Sequence, residues 1–412
     1  MLNRLRIYNA RIVTKQGVVE GTLVIEDGMI TELLPNGKQE SVAYDDDVID
    51  AEGCYVMPGI IDMHSDALEK EIQPRPNTFF PLHMSFFELE KKLAGCGVTT
   101  IYHSLSLADG VGVRDDEMVV NIINHIINLR EERAMINHRV HLRYEVTNLP
   151  GLDTVRNLID SSHIDLLSIM DHTPGQGQFT EKESYENYLV KTYGIRDDEL
   201  KIMIDKLKSS AKLIQWDQIH DLVQQAIQHE IVVASHDDDT EAKIDQMIEF
   251  GVTISEFPIN LTAAKYSHQH NLLVCVGSPN LVRGLSHSNN MKAVEAIKAG
   301  YSQAICSDYL PSSILPAVFM LHEQEHIPLH QAVAMVTSNP AEALGIGDKV
   351  GSIAIGKVAD LVFVKQHNGY PLVHRTLVNG ETIYFTKPFH SQIKEQSYAP
   401  PSTKQYIGLT VT

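Results

Sequence analysis

The sequence predicts an α/β chain: a (β/α)8 TIM-like barrel with a small β-sandwich domain formed by both termini. Three observations carry this. Through the middle of the chain, apolar strand-like runs alternate with longer amphipathic stretches, as βα units around a parallel sheet do. The runs number about eight, the count that closes a barrel. The two ends instead show short strands separated by Gly-containing turns.

In chain order, residues 4–13 and 22–33 read as strands, with a turn at Asp27-Gly28, and 46–50 adds a short third. The barrel strands are expected at 55–63, 98–104, 139–146, 164–171, 229–235, 251–256, 272–276 and 302–307. Amphipathic stretches such as 115–135 and 198–228 separate them. The segment 174–228 exceeds an ordinary loop plus helix and is a candidate lid. The far end, from Gly351, repeats the strand grammar of the start, with Asn379-Gly380 at its turn. Residues 1–56 and 345–412 then supply the two parts of the sandwich, and 57–344 form the inserted barrel.

Composition bounds the partners. The chain has 412 residues, 43% hydrophobic and 21% charged, which suits a soluble globular protein. A net charge of −19 argues against nucleic acid, whose binding rests on basic surface. It leaves room for a small anionic phosphorylated substrate, because bound cations can reverse the sign inside a pocket. No apolar run is long enough to span a bilayer, and the first residues lack a signal peptide's apolar block. The four cysteines form no C-x-x-C pair, so buried thiols in a reducing cytoplasm are expected. A homodimer is the default expectation for assembly.

In such a barrel the active site lies where strands end at the C-terminal face. The first strand ends in His64-Ser65-Asp66, and alternation places His64 and Asp66 on one face. The third carries His141, Arg143 and Glu145 on one face. The fourth runs into Asp171-His172, the fifth into Ser235-His236-Asp237 and the eighth into Ser307-Asp308. Any one such His is more often a core or surface residue, and Asp308 alone would read as a helix cap. A series across five strand ends is different: an inward ring of imidazoles and carboxylates is expensive unless a divalent cation neutralises it. The expected ligands are His64, Asp66, Glu145, His172, His236 and Asp308. Glu145 is placed to bridge two ions, and Asp308 to take a proton from an activated water. One or two ions are expected, Zn2+ first, with Mn2+ or Fe2+ also admitted by mixed imidazole and carboxylate donors.

These residues resemble the amidohydrolase superfamily. The run Gly53-CYVMPGIIDMHSD is similar to that superfamily's entry strand, and Gly351-SIAIGKVADLVFV to its return into the sandwich. The first motif departs from the usual H-x-H, since Asp66 stands second. The usual bridging lysine has no clear counterpart, and Glu145 is the candidate in its place. The later histidines fall on strands four and five, where the superfamily commonly uses five and six: either the strand count is off by one, or Glu256, in ISEFP, stands where the superfamily often has a histidine, and either Glu145 or Glu256 completes the shell.

A further set of blocks resembles the diphosphatase family of phosphonate metabolism: HSDALEKEIQPRP, HLRYE, MDHTPGQGQF, ASHDDDT, GSPNLVRGLSHSNN and CSDYLPSS. That resemblance implies hydrolysis of a ribosyl methylphosphonate triphosphate to its 5-phosphate and pyrophosphate. A triphosphate ester calls for basic groups, and Lys70, Arg75, Arg143, Lys265, Arg283 and His287 lie after or on the strand ends. The alternatives are hydrolysis of an amide or amidine bond of a small cyclic or acylated substrate, and a metal-free scaffold. Arg143 and Arg283 have no use for a neutral substrate.

Overall fold

A computed structural model describes residues 4–35, 47–173, 209–286 and 290–387. His287 and most of the candidate lid, 174–208, lie outside the described residues. Strands β1 (Arg4–Thr14), β2 (Gly17–Glu26), β3 (Met29–Pro35), β4 (Asp47–Asp50) and β5 (Tyr55–Pro58) open the chain. The barrel strands follow as β6 (Ile60–Ser65), β7 (Val98–Leu107), β8 (Asn137–Glu145), β9 (Leu166–Met170), β10 (Val232–His236), β11 (Ile254–Glu256), β12 (Leu273–Gly277) and β13 (Ala304–Cys306). Strands β14 (Leu361–His367), β15 (Tyr370–Val378) and β16 (Glu381–Phe385) return to the first sheet.

The two ends form one mixed sheet in the order β16-β15-β14-β5-β1-β2-β3, with β4 also paired to β1. The stretch 22–33 is two strands. Asp27 (φ 49°) and Gly28 (φ 78°) both take left-handed backbone, the requirement of a tight hairpin turn between right-twisted strands. Asn379 (φ 51°) and Gly380 (φ 77°) repeat that turn between β15 and β16. The two turns meet: a side chain on Gly28 would lie 2.7 Å from the Asn379 carbonyl oxygen. The sheet thus curls until its distant hairpins touch. Ile7, Ile12, Leu23, Val56, Leu361 and Phe363 fill its own core.

The stretch 55–63 also divides. β5 belongs to the mixed sheet and β6 to the barrel, with the break at Pro58-Gly59. Gly59 is required there, since a Cβ would sit 2.1 Å from Thr99 Oγ1. The domain boundaries expected at 56/57 and 344/345 fall within β5 and just after the helix Ser338–Ala343.

The parallel barrel runs in strict chain order from β6 to β13. It closes through Asp308, whose N–H donates to the His64 carbonyl at 3.0 Å while its own carbonyl accepts from Asp66 N–H at 2.9 Å. The lower interior is apolar: Ile61, Met63, Tyr102, Leu166, Ala234, Ile254, Cys275, Ala304 and Cys306, stoppered by Ala341 and Leu344. Each large aliphatic side chain buried there stabilises the fold by about 1.5–3 kcal/mol.

The covering helices follow sequence rules. In Asp116–Glu132, Asp115 caps the N-terminus by accepting from Glu117 and Met118 N–H, and Val119, Ile122, Ile123 and Ile126 form the buried stripe. Among the described residues no helix is long and apolar enough to cross a membrane. The four cysteines are free thiols.

Candidate metal centre and active site

At the C-terminal ends of the strands the interior changes from apolar to polar. Glu256 at the end of β11 is fully buried. Its Oε1 lies 3.0 Å from His64 Nδ1, and its Oε2 accepts from Ser168 Oγ at 2.6 Å. His141 on β8 completes this group: its Nε2 is 2.6 Å from Ser168 Oγ and its Nδ1 2.9 Å from Ser104 Oγ. One donor atom from each of His64, His141 and Glu256 lies within 4.8 Å of the others. A second group with the same spacing comprises His172, His236 and Asp237. The groups adjoin, with the His64 and His236 rings 5.5 Å apart and Phe257 packed edge-on against both.

Backbone conformation turns these donors inward. Asp237 (φ 53°) and Phe257 (φ 54°) follow directly on β10 and β11, and Asp308 (φ 56°) stands two residues past β13; each holds left-handed backbone that non-glycine residues avoid. Such strain costs about 1–3 kcal/mol per residue and persists where the surroundings enforce it. Here the next strand enforces it: Asp237 N–H donates to the Glu256 carbonyl and Phe257 N–H to that of Cys275.

The electrostatics suit a cation. Burial, with Arg143 and His236 nearby, holds His64 well below its ordinary pKa, and burial brings His141 down to about 3. Both are therefore neutral, the form that ligates. Burial also opposes charge on His172, but hydrogen bonds to Asp237 and Glu145 outweigh it and raise the pKa to about 9. Its proton lies where a cation would, between two carboxylates. His236 Nδ1 is buried without a hydrogen-bond partner and lies 3.2 Å from Asp237 Oδ2, which His172 Nε2 also approaches at 3.4 Å. An orphaned imidazole nitrogen beside a shared carboxylate oxygen fits a divalent ion held by imidazole and carboxylate.

The remaining expected residues are placed as follows. His64, His172 and His236 fall within the two groups. Glu145 lies outside both and accepts from the His172 ring at 2.8 Å. Between Asp62 and Ser65 strand β6 advances three residues while β7 advances two, from Ile101 to His103. His64 and Asp66 flank Ser65, which bridges Asp308 in parallel fashion. Asp66 lies outside both donor groups, at the N-terminus of the helix Ala67–Ile72. Its carboxylate lies 3.6 Å from Arg114, which also grips Glu69. Asp308 closes the barrel beside His64. Burial and the nearby Asp66 carboxylate push Asp308 up to about 8, and burial with Glu69 raises Asp66 to about 6.

Arg143 is 7% exposed. Its Nη2 is 3.4 Å from His236 Nε2, and its buried Nε has no partner. Lys70, Arg75, Lys265 and Arg283 are exposed. His141 and Asp237 were not among the expected ligands, and Glu256 was expected only as the alternative to Glu145. The same-face run His141-Arg143-Glu145 carried the signal for His141, and its strand-end position that for Glu256. Asp237 left none, since alternation from His236 turns it away and only its left-handed backbone returns it.

A parallel barrel with imidazole and carboxylate donors at its rim defines a hydrolase class. The chain belongs to the amidohydrolase family: residues 192–389 match that family, and a relative matches over its full length. That relative, the alpha-D-ribose 1-methylphosphonate 5-triphosphate diphosphatase of Escherichia coli (strain K12), is 32% identical over 387 residues, 92% of this chain and 100% of that protein. Solved structures share the fold at lower identity. The N-acetylglucosamine-6-phosphate deacetylase of Pasteurella multocida has a TM-score of 0.59 at 15% identity, over 92% of this chain and 99% of that one. An adenosine deaminase of Xanthomonas campestris with bound zinc has a TM-score of 0.51 at 15% identity, over 92% of each chain.

Proposed function

We propose that the chain hydrolyses the α–β phosphoanhydride of α-D-ribose 1-methylphosphonate 5-triphosphate, giving the 5-phosphate and pyrophosphate. The observation that carries this reading is Arg143. A buried guanidinium with an orphaned Nε and no carboxylate within ion-pair distance among the described residues is costly unless a ligand supplies the anion. It sits between His141 and Glu145 on β8, facing the donor groups. A phosphoryl oxygen matches its planar fork. The full-length relative of that activity supports the same substrate.

In this mechanism His64, His141 and Glu256 would hold one divalent ion, and His172, His236 and Asp237 a second. Glu145 orients the His172 ring through its Nδ1. Bound there, such ions lower the pKa of a water and screen phosphoryl charge. Arg143 takes the remaining negative charge as it grows on the transferring phosphoryl group. Asp308, at the barrel's closure beside His64, is placed to take a proton from the attacking water. Phe257 walls off both imidazoles from the side. Zn2+ is the proposed ion, and exposed Lys70, Arg75, Lys265 and Arg283 are proposed to act only on approach of the substrate.

The test is pyrophosphate release from that triphosphate by Zn2+- or Mn2+-loaded protein. Release is expected, and Arg143→Ala should lower kcat/KM by about 10²–10³, the loss typical of one charge-stabilising donor. No release from folded, loaded protein contradicts the proposal. An Arg143→Ala variant that releases pyrophosphate at an undiminished rate would remove Arg143 from the substrate contact, and hydrolysis of a neutral amide or amidine by native protein that releases no pyrophosphate would favour that substrate class instead.

A further inference from the structure

We propose that the fully buried Asp238 and the partly buried Lys243 form a latch that aligns donors of both cation groups, so that breaking it weakens both sites together. The inference rests on the cation-holding part of the function proposed above.

Asp238 is fully buried just beyond β10 and outside the donor groups. Its Oδ2 accepts from Ser235 Oγ at 2.6 Å and from Ser255 Oγ at 2.5 Å. Ser235 precedes His236 on β10, and Ser255 precedes Glu256 on β11. One carboxylate oxygen therefore ties together the residues immediately before a donor of each group. The Asp238 backbone carbonyl extends the tie by accepting from Ile259 N–H at 3.0 Å.

Lys243 acts on the other side. It stands in the first turn of the helix Glu241–Phe250, whose N-terminus is capped by Thr240. Its ammonium donates to the His236 carbonyl at 2.8 Å and approaches that of Asp237 at 3.4 Å, and it lies 3.7 Å from Asp238 Oδ1. These carbonyls flank the left-handed turn at Asp237 that brings its side chain into the second group. An Asp and Lys so placed contribute little to stability compared with apolar side chains of the same volume. What they add here is direction: the carboxylate fixes β10 against β11, and the ammonium fixes the two carbonyls through the turn. Groups that orient ligands in this way alter cation affinity about 10–100-fold when removed.

The experiment is Zn2+ competition against a chromophoric chelator, with Co2+ absorption and thermal unfolding of the cation-free protein measured alongside. Asp238→Asn and Lys243→Met should lower affinity at both sites by about 10–100-fold and shift the Co2+ bands. Ser255→Ala, which removes one of two hydroxyl donors, should lower it less, and Lys243→Arg should retain most of it. A merely structural role would lower the unfolding temperature while leaving affinity and bands unchanged. If Asp238→Asn fails to fold, Ser255→Ala decides. Folded variants that bind both ions as tightly as the native chain, with unchanged bands, overturn the latch alone. A native chain that takes up no cation overturns the cation reading, and the latch with it.

Discussion

The two layers of the barrel interior lie a single pleat apart and do opposite things. Along β7 the step is from Tyr102 to Ser104, along β9 from Leu166 to Ser168, along β10 from Ala234 to His236 and along β11 from Ile254 to Glu256. The first of each pair lies in the sealed apolar core. The second lies among the donors or their hydrogen-bond partners. Two residues on a strand keep the same face and rise about 6.5–7 Å. The fold therefore separates stability from chemistry by height, and each of these four strands contributes to both. The lower layer can be close-packed because it contains almost nothing polar. The upper layer keeps buried groups whose charges need a ligand to balance them.

That contrast can be broken from either side. The larger effect is expected above. Asp308→Asn keeps the shape of the rim but removes the proton acceptor, and should lower kcat by about 10²–10⁴ while leaving thermal unfolding nearly unchanged. A rate within a fewfold of the native one would remove Asp308 from the proton path. Below, Ile254→Ala should destabilise the fold by about 2–5 kcal/mol, read by chemical denaturation. The folded fraction should keep its kcat. If Ile254→Ala instead slowed turnover strongly at unchanged stability, the two layers would not be separable.

The sequence revealed the larger pattern because that pattern is local. Eight apolar runs lie in the order in which the barrel uses them, and five of them run into histidines or carboxylates at their C-terminal ends. The count also puts Glu256 on β11, as expected, so no slip of one strand is needed to explain the missing histidine there. Single strands misled where geometry departs from ideal alternation. The left-handed turn at Asp237 brought in a carboxylate that alternation points away. It leaves no mark in residue type: Asp237 follows a strand-end histidine, and only pairing with the next strand decides where it faces.

Charge was legible to a similar extent. Arg143 stood out because its neighbours on the same face are His141 and Glu145, and the structure leaves it buried with an orphaned nitrogen. Lys70, Arg75, Lys265 and Arg283 read alike in sequence, but exposure separates them from it. The paired serines under Asp238 were not legible at all, because Ser235 and Ser255 come together only when β10 and β11 pair.

The most direct test of the central claim is the cation content of the purified protein after Zn2+ loading and removal of excess ion, compared with Glu256→Gln and Asp237→Asn. Two equivalents in the native chain, with one lost in each variant, is the predicted result. A native chain that stays free of metal, or variants that retain both equivalents, would contradict it.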